Sequence, residues 1–198
     1  MQSSMKNMVL VLFVITLLSA AAVGGVYMLT KEPIAKAKEK AEKEARAAVL
    51  PAGEYELVEE QTMTLDGIEV KVYSMKNAEN EQFYAVKSAT TKGYGGTIGV
   101  MVGLDDSLRV QNIKVLEHKE TPGLGANLTL DNKKNKVLAS LKGRAVNDKT
   151  AVTKDGGDVD ALTAATISSR AYIDAVQRAV KAVEASVNKT EKGANDGE

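Results

Sequence analysis

The residues best suited to chemistry lie in a short polar stretch, DALTAATISSR, at positions 160–170. It precedes a segment whose apolar residues recur at three and four positions, the period of an amphipathic helix. A helix start offers unpaired amide groups and a positive dipole end, which favour an anionic group at Thr166. Ala164 and Ala165 leave the approach to its hydroxyl open. A phosphate ester on Thr166 would therefore suit this position, and an ordinary helix cap behind a loop is the alternative.

A second polar loop, EHKETPGLG, occupies positions 117–125. Its Pro-Gly dipeptide is typical of a turn, so an ordinary loop is one interpretation. Glu120 and Thr121 stand immediately before this flexible part and are candidates for a binding site. His118 is the only histidine in the sequence, and a lone histidine without identifiable partners is usually a surface residue.

A cluster of glycines precedes this loop, but its spacing matches neither the P-loop motif nor the dinucleotide-binding fingerprint. The Gly-Tyr-Gly-Gly sequence favours a turn that leads into a strand, while close approach of a flat or anionic ligand stays open. The glycines are Gly93, Gly95, Gly96, Gly99 and Gly103.

Composition excludes several classes of function. The chain has 198 residues and no cysteine, so thiolate catalysis, disulfides and cysteine-bound metals are excluded. Lysine plus arginine equals aspartate plus glutamate at 26 each, which gives no indication of nucleic-acid binding. No convergent catalytic set and no metal site can be identified. Any redox chemistry would need an organic cofactor.

The N-terminal region contains a membrane-spanning candidate. Residues 8–30 carry no charge and are bracketed by Lys6 and Lys31. This length suffices to cross a hydrocarbon core of roughly 30 Å as a helix. A cleaved signal peptide is the alternative, because residues 19–22 resemble a small-residue cleavage site. More positive charges follow the span than precede it, and the positive-inside rule taken alone would place the rest of the chain in the cytoplasm.

The remaining patterns predict an α+β domain. Segment 31–50 is rich in Ala, Lys and Glu, which predicts a charged connecting helix. A functional run of charges is the alternative. Alternating apolar residues then predict strands, and 167–187 is the closing amphipathic helix. The strand candidates are 54–60, 68–72, 81–88 and a hairpin over 97–116, with a turn at Asp105-Asp106-Ser107 and a bulge or bend before Ile113. The predicted organisation is a tail 1–7, a transmembrane helix 8–30, a connecting helix 31–50, a domain 51–187 and a disordered tail 188–198.

The sequence Asp160-Ala-Leu-Thr-Ala-Ala-Thr166 resembles the signature Asp-x-x-Ser/Thr-Gly-Ala-Thr, at which a flavin transferase esterifies FMN to the final threonine. Together with ETPGLG about forty residues upstream, an N-terminal membrane helix and this length, the chain resembles the G subunit of the Rnf ion-translocating electron transport complex. The C subunit of the sodium-pumping NADH:quinone oxidoreductase is a close relative of that family. The resemblance spans nearly the whole chain.

This resemblance implies an FMN-binding α+β domain that carries FMN as a phosphoester on Thr166. Asp160, Thr163 and Ala165 would belong to the modification signature. The upstream residues that match the family's loop near the flavin are Glu120, Thr121, Gly123, Leu124 and Gly125. The usual glycine of the signature is Ala164 here; if that position needs a positive φ, alanine would be strained by about 1 kcal/mol or more.

The resemblance also implies a role. The chain would be an electron carrier in a complex that couples electron transfer between ferredoxin and NAD to the movement of Na⁺ or H⁺. Its partners would be the other membrane and peripheral subunits, a flavin transferase and the cytoplasmic membrane, with the soluble domain outside the cytoplasm. This orientation is opposite to the charge count. A membrane-tethered binding or scaffold module without covalent flavin is the alternative function.

Overall fold

The computed structural model describes residues 4–130 and 134–195. It contains three α-helices and five strands among the described residues, which confirms the predicted α+β class. The chain divides into two compact units, Met1–Ala41 and Glu42–Glu198. The elements are α1 Met5–Val49, β1 Tyr55–Leu65, β2 Ile68–Asn77, β3 Gln82–Gly93, β4 Gly96–Asp105, β5 Val110–Glu117, α2 Lys136–Leu141 and α3 Thr166–Asn195, with short 3₁₀ turns at Gly125–Thr129 and Thr153–Asp155.

The first unit contains most of helix α1, which is long and apolar enough to cross a membrane. Its apolar side chains between Met8 and Leu29 are exposed, as a lipid-facing helix requires. The helix begins at Met5, inside the segment predicted as a tail, and residues 1–3 lie outside the described residues. The predicted spanning and connecting helices are parts of this one helix, which continues through Pro33.

The second unit is built on an antiparallel sheet in the order β1-β2-β3-β4-β5. Each strand pairs with the next along the chain, so the sheet is a simple meander. The predicted hairpin is β4 paired with β5, and its register shifts between Gly103 and Leu104 provide the predicted bulge. The turn between them includes Leu108 at φ 57°, a left-handed conformation that lengthens it beyond the predicted Asp105-Asp106-Ser107.

Helix α3 covers one face of the sheet and forms the main core. Its residues Tyr172, Val176 and Val183 are buried against strand residues such as Val86 and Val100. The predicted end at residue 187 is too early, because the helix continues to Asn195. The segment after residue 187 has few apolar residues, but its Lys, Glu and Ala have favourable helix propensities. Of the tail predicted to be disordered, residues 188–195 are helical and 196–198 lie outside the described residues.

The end of α1 that belongs to the second unit packs on the opposite face of the sheet. Val49 lies so close to β4 that a Cβ at Gly103 would be 2.0 Å from the Val49 carbonyl oxygen. Glu42 accepts hydrogen bonds from Tyr73 at 2.6 Å and from Lys87 at 2.5 Å. Burial opposes ionisation of Glu42, but the hydrogen bonds of these two partners outweigh it and lower the pKa of the carboxyl. The sheet is therefore covered on both faces.

Candidate functional site

Thr166 is the first residue of α3. Its side-chain oxygen Oγ1 accepts a hydrogen bond from Lys154 Nζ at 3.2 Å. The amide of Ser169 donates to the Ala165 carbonyl at 3.0 Å, whereas the amides of Thr166, Ile167 and Ser168 come before this first intrahelical donor. The predicted environment of the Thr166 hydroxyl, at a helix start, is therefore present, and it includes a lysine that the sequence did not indicate.

A tight turn leads into this helix. The Ala165 amide donates to the Leu162 carbonyl at 3.1 Å, and Ala164 has φ 57°. A positive φ at the third residue alone is the pattern of a type II turn, which favours glycine there. The Ser169 hydroxyl donates to the Ala165 carbonyl at 2.9 Å and accepts from the Leu162 amide at 3.0 Å, so the helix holds the turn. Position 164 needs a positive φ, and alanine is strained there by about 1–2 kcal/mol.

Glu120 connects three segments that are distant in sequence. Its side chain is buried, with 6% of the residue exposed. One carboxylate oxygen accepts from the Gly95 amide at 2.9 Å, and the other accepts from the Ser168 hydroxyl. The Glu120 amide in turn donates to His118 Nδ1 at 3.2 Å, so the histidine supports the loop locally. Glu120 thus joins its own loop to the glycine-rich turn and to the start of α3.

Close approach at two glycines makes this junction possible. A Cβ at Gly95 would lie 1.9 Å from the Lys119 carbonyl oxygen. A Cβ at Gly125 would lie 2.3 Å from a Glu120 carboxylate oxygen and 2.5 Å from the Ser168 hydroxyl. The glycine-rich sequence forms the predicted turn, with Tyr94 and Gly95 between β3 and β4. Its glycines also let the turn pack against the loop after β5.

These segments enclose a cavity of about 530 Å³. Its rim exposes apolar surface from Tyr94, Leu124 and Ile167, whose exposed fractions are 71%, 40% and 49%. Most of the predicted site residues line it. The lining residues are Tyr94, Glu120, Thr121, Leu124, Gly125, Ala164, Ala165, Thr166, Ile167 and Ser168.

Three predicted site residues lie outside this cavity. Gly123 and Thr163 line a neighbouring cavity of about 250 Å³, which shares Leu124 and Ala164 with the larger one. Asp160 is exposed and lines neither cavity; its amide donates to the Ser140 hydroxyl at 3.1 Å. The signature residues before Thr166 therefore shape and present the turn, while the ETPGLG loop forms the opposite wall.

The site fits FMN on two grounds. A flavin ring needs flat apolar surface, which the exposed Tyr94, Leu124 and Ile167 offer around a cavity of about 530 Å³. A phosphate needs positive charge and hydrogen-bond donors, which Lys154 and the first amides of α3 offer at the Thr166 hydroxyl. These two environments adjoin at Thr166 and Ile167.

The chain is similar to known proteins over most of its length. A family model described as an FMN-binding domain matches residues 93–181, and one described as the RnfG N-terminal region matches residues 1–49. A protein of Haemophilus influenzae strain PittEE is 32% identical over 174 residues, which cover 83% of each chain. One of Aliivibrio fischeri strain ES114 is 31% identical over 192 residues, covering 91% of this chain and 90% of the relative. Both are named as the G subunit of an ion-translocating oxidoreductase complex. The chain belongs to this G-subunit family.

A third family member, from Shewanella amazonensis, is 39% identical over 110 residues, which cover 54% of this chain and 51% of the relative. The matched FMN-binding domain contains the glycine-rich turn, the Glu120 loop and Thr166. The matched N-terminal region ends at residue 49, where α1 also ends. Membership of the G-subunit family and this domain identify an FMN-binding membrane subunit of an Rnf electron transport complex.

Proposed function

We propose that this chain is the membrane-anchored electron carrier of its complex and that it holds FMN covalently, as a phosphoester on Thr166. The observation that carries the proposal is the position of the Thr166 hydroxyl. It stands at the first turn of α3, within 3.2 Å of the Lys154 ammonium group, and lines the flavin-sized cavity. The phosphate would meet the lysine and the helix amides, and the ring would face the apolar rim.

FMN, when bound, supplies one- and two-electron chemistry. The side chains of this protein then hold and surround it rather than act as acid, base or nucleophile toward a substrate. Thr166 would hold the phosphate end. Glu120 and Ser168 fix the loop that forms the opposite wall. Tyr94 and Leu124, which line the cavity, would offer apolar surface to the ring and limit the access of water.

Attachment requires a flavin transferase as a partner. The bond that forms joins Thr166 Oγ1 to the phosphorus of an activated flavin nucleotide. The bond from that phosphorus to the leaving group of the nucleotide breaks, and the hydroxyl proton passes to a base of the transferase. Because Thr166 is only half-buried and Ala164 beside it is exposed, the hydroxyl is within reach of a second protein.

Within the complex, the chain would pass electrons on a path between ferredoxin and NAD that is coupled to Na⁺ or H⁺ movement. A tethered flavin suits this task because it can exchange electrons with neighbouring subunits without diffusing away. The domain would lie on the outer side of the cytoplasmic membrane, anchored by α1. The other membrane and peripheral subunits of the complex would be its partners.

The decisive experiment is coexpression of the full-length protein with a flavin transferase, followed by denaturing electrophoresis. We expect in-gel flavin fluorescence and a mass increase equal to FMN less one water. Thr166→Val should abolish both. Thr62→Val, on an exposed position of β1, is the matched control and should leave both unchanged. A wild-type protein without added mass that still assembles with membrane partners would instead support the scaffold function.

Orientation is tested separately with intact spheroplasts. An outside domain should be degraded by added protease while the membrane is intact. Protection of the domain until lysis would contradict the outside location. It would agree with the charge count around the membrane span and would leave the attachment of FMN to be judged on the mass measurement.

A further inference from the structure

The contact between Lys154 and Thr166 is unusual for an exposed lysine. A helix start carries partial positive charge, so a basic group beside it is disfavoured. The Lys154 side chain nevertheless donates to Oγ1 of the first residue of α3. The neighbouring carboxylate, Asp155, is already engaged by Arg170. An anion at Thr166 would turn this unfavourable placement into a favourable one, because it would lie between the ammonium group and the helix amides.

The backbone around Lys154 is held in place. Lys154 lies in the 3₁₀ turn Thr153–Asp155, which follows the buried Val152. The Thr153 amide donates to the Val159 carbonyl at 3.0 Å, and the Val159 amide donates to the Ala151 carbonyl at 3.1 Å. The lysine is thus presented by a closed loop rather than by a mobile one.

A salt bridge fixes this loop to α3. Asp155 accepts two hydrogen bonds from Arg170, at 2.7 Å from Nε and 2.6 Å from Nη2. These bonds lower the pKa of Asp155 and raise that of Arg170, so both groups stay charged at neutral pH. Arg170 is four residues after Thr166 and therefore lies on the same face of the helix. The salt bridge between Asp155 and Arg170 therefore lies beside the contact between Lys154 and Thr166, and by holding the loop it directs the lysine to the hydroxyl.

We propose that Lys154 positions the Thr166 hydroxyl for flavin attachment and then neutralises the phosphodiester charge as its fixed counter-ion. This inference rests on the proposed function, because it needs a phosphate at Thr166. Asp155 and Arg170 contribute indirectly, by holding the loop. The lysine is a positioning residue of the protein substrate; the transferase supplies the base.

The test uses purified full-length protein in detergent with transferase and flavin nucleotide, and follows covalent flavin by fluorescence and intact mass. Lys154→Met removes a charge-assisted hydrogen bond, so its rate of flavin attachment should be lower than that of wild type by roughly tenfold or more. Lys154→Arg keeps the charge and should stay within about threefold of wild type. Lys149→Met, at an exposed lysine earlier in the same connecting segment, should react at the wild-type rate.

Thermal unfolding of the unmodified and modified forms separates this role from a structural one. Unmodified Lys154→Met should unfold at or above the wild-type temperature, because a charge is removed from the helix start. Attached FMN should raise the unfolding temperature of wild type more than that of the variant. If Lys154→Met attached flavin at the wild-type rate and attached FMN raised its unfolding temperature as much as that of wild type, the role of Lys154 would be overturned. The proposed function would be left intact. A wild-type protein without covalent flavin would refute the proposed function itself.

Discussion

The left-handed conformation of Ala164 predicts that Ala164→Gly stabilises the protein. Alanine at φ 57° is strained by about 1–2 kcal/mol, which glycine relieves because it has no Cβ. Glycine also gains freedom in the unfolded chain, which opposes this by about 0.4–1 kcal/mol. The difference is a net stabilisation of up to about 1.6 kcal/mol, with a mid-range value of about 0.8 kcal/mol. For a unit of this size, it corresponds to a rise in Tm of roughly 1–4 °C.

The assay is thermal and urea unfolding of the unmodified full-length protein in detergent, followed by circular dichroism. Ala52→Gly is the matched control, since Ala52 is exposed in a loop and is not among the residues with positive φ. At Ala52, glycine only increases the freedom of the unfolded chain, so the free energy of unfolding of the control should fall by about 0.4–1 kcal/mol. The two glycine variants therefore move in opposite directions. Equal losses in both would refute the conclusion that the turn before Thr166 strains its third residue.

Three further predictions concern the buried carboxylate and α3. Glu120→Ala should reduce the free energy of unfolding by about 2–4 kcal/mol in urea, since it leaves the buried Ser168 hydroxyl and the half-buried Gly95 amide without this acceptor; an unchanged urea midpoint would contradict this. Gly125→Ala should reduce the free energy of unfolding by about 1–3 kcal/mol through the clash with that carboxylate, and wild-type thermal stability would argue against so close a contact. Burial opposes ionisation of Asp174, but hydrogen bonds, led by that from Lys92, lower the pKa of its carboxyl below 3.8. The contribution of Asp174 to stability is therefore present above that pH and is lost as the pH falls through the folded-state pKa. Asp174→Asn should flatten the decline in stability between about pH 4 and pH 2, and an unaltered acid profile would exclude this role.

The secondary structure was largely predictable because its signals are periodic. Alternating apolar residues indicated the strands, and the three-and-four spacing from Ile173 to Val183 indicated a buried helix face. Helix ends were less predictable. The spacing of core residues does not show where a helix with a polar continuation ends, so Asn195 was missed. Likewise, the change from apolar to charged residues within α1 marks a change of surroundings rather than a break in the helix.

The candidate site was predictable in its parts but not in its assembly. Thr166 and the Glu120 loop follow from motifs in the sequence. The contacts that join them depend on residues 25 to 48 positions apart, which no local pattern encodes. Lys154 was missed for the same reason, since its role depends on a loop fixed to α3 by Arg170. The strain at Ala164 was anticipated only as a condition, because a sequence does not give φ.

The Glu120 junction also bears on the order of events during maturation. Its hydrogen-bond partners lie in a β-turn and at the start of the last helix, so the wall of the cavity cannot exist while the chain is extended. A transferase that recognised only a linear signature could modify a nascent chain, whereas one that needs the assembled wall would act after folding. In the second case, the fraction of chains carrying a cofactor would measure how many had folded.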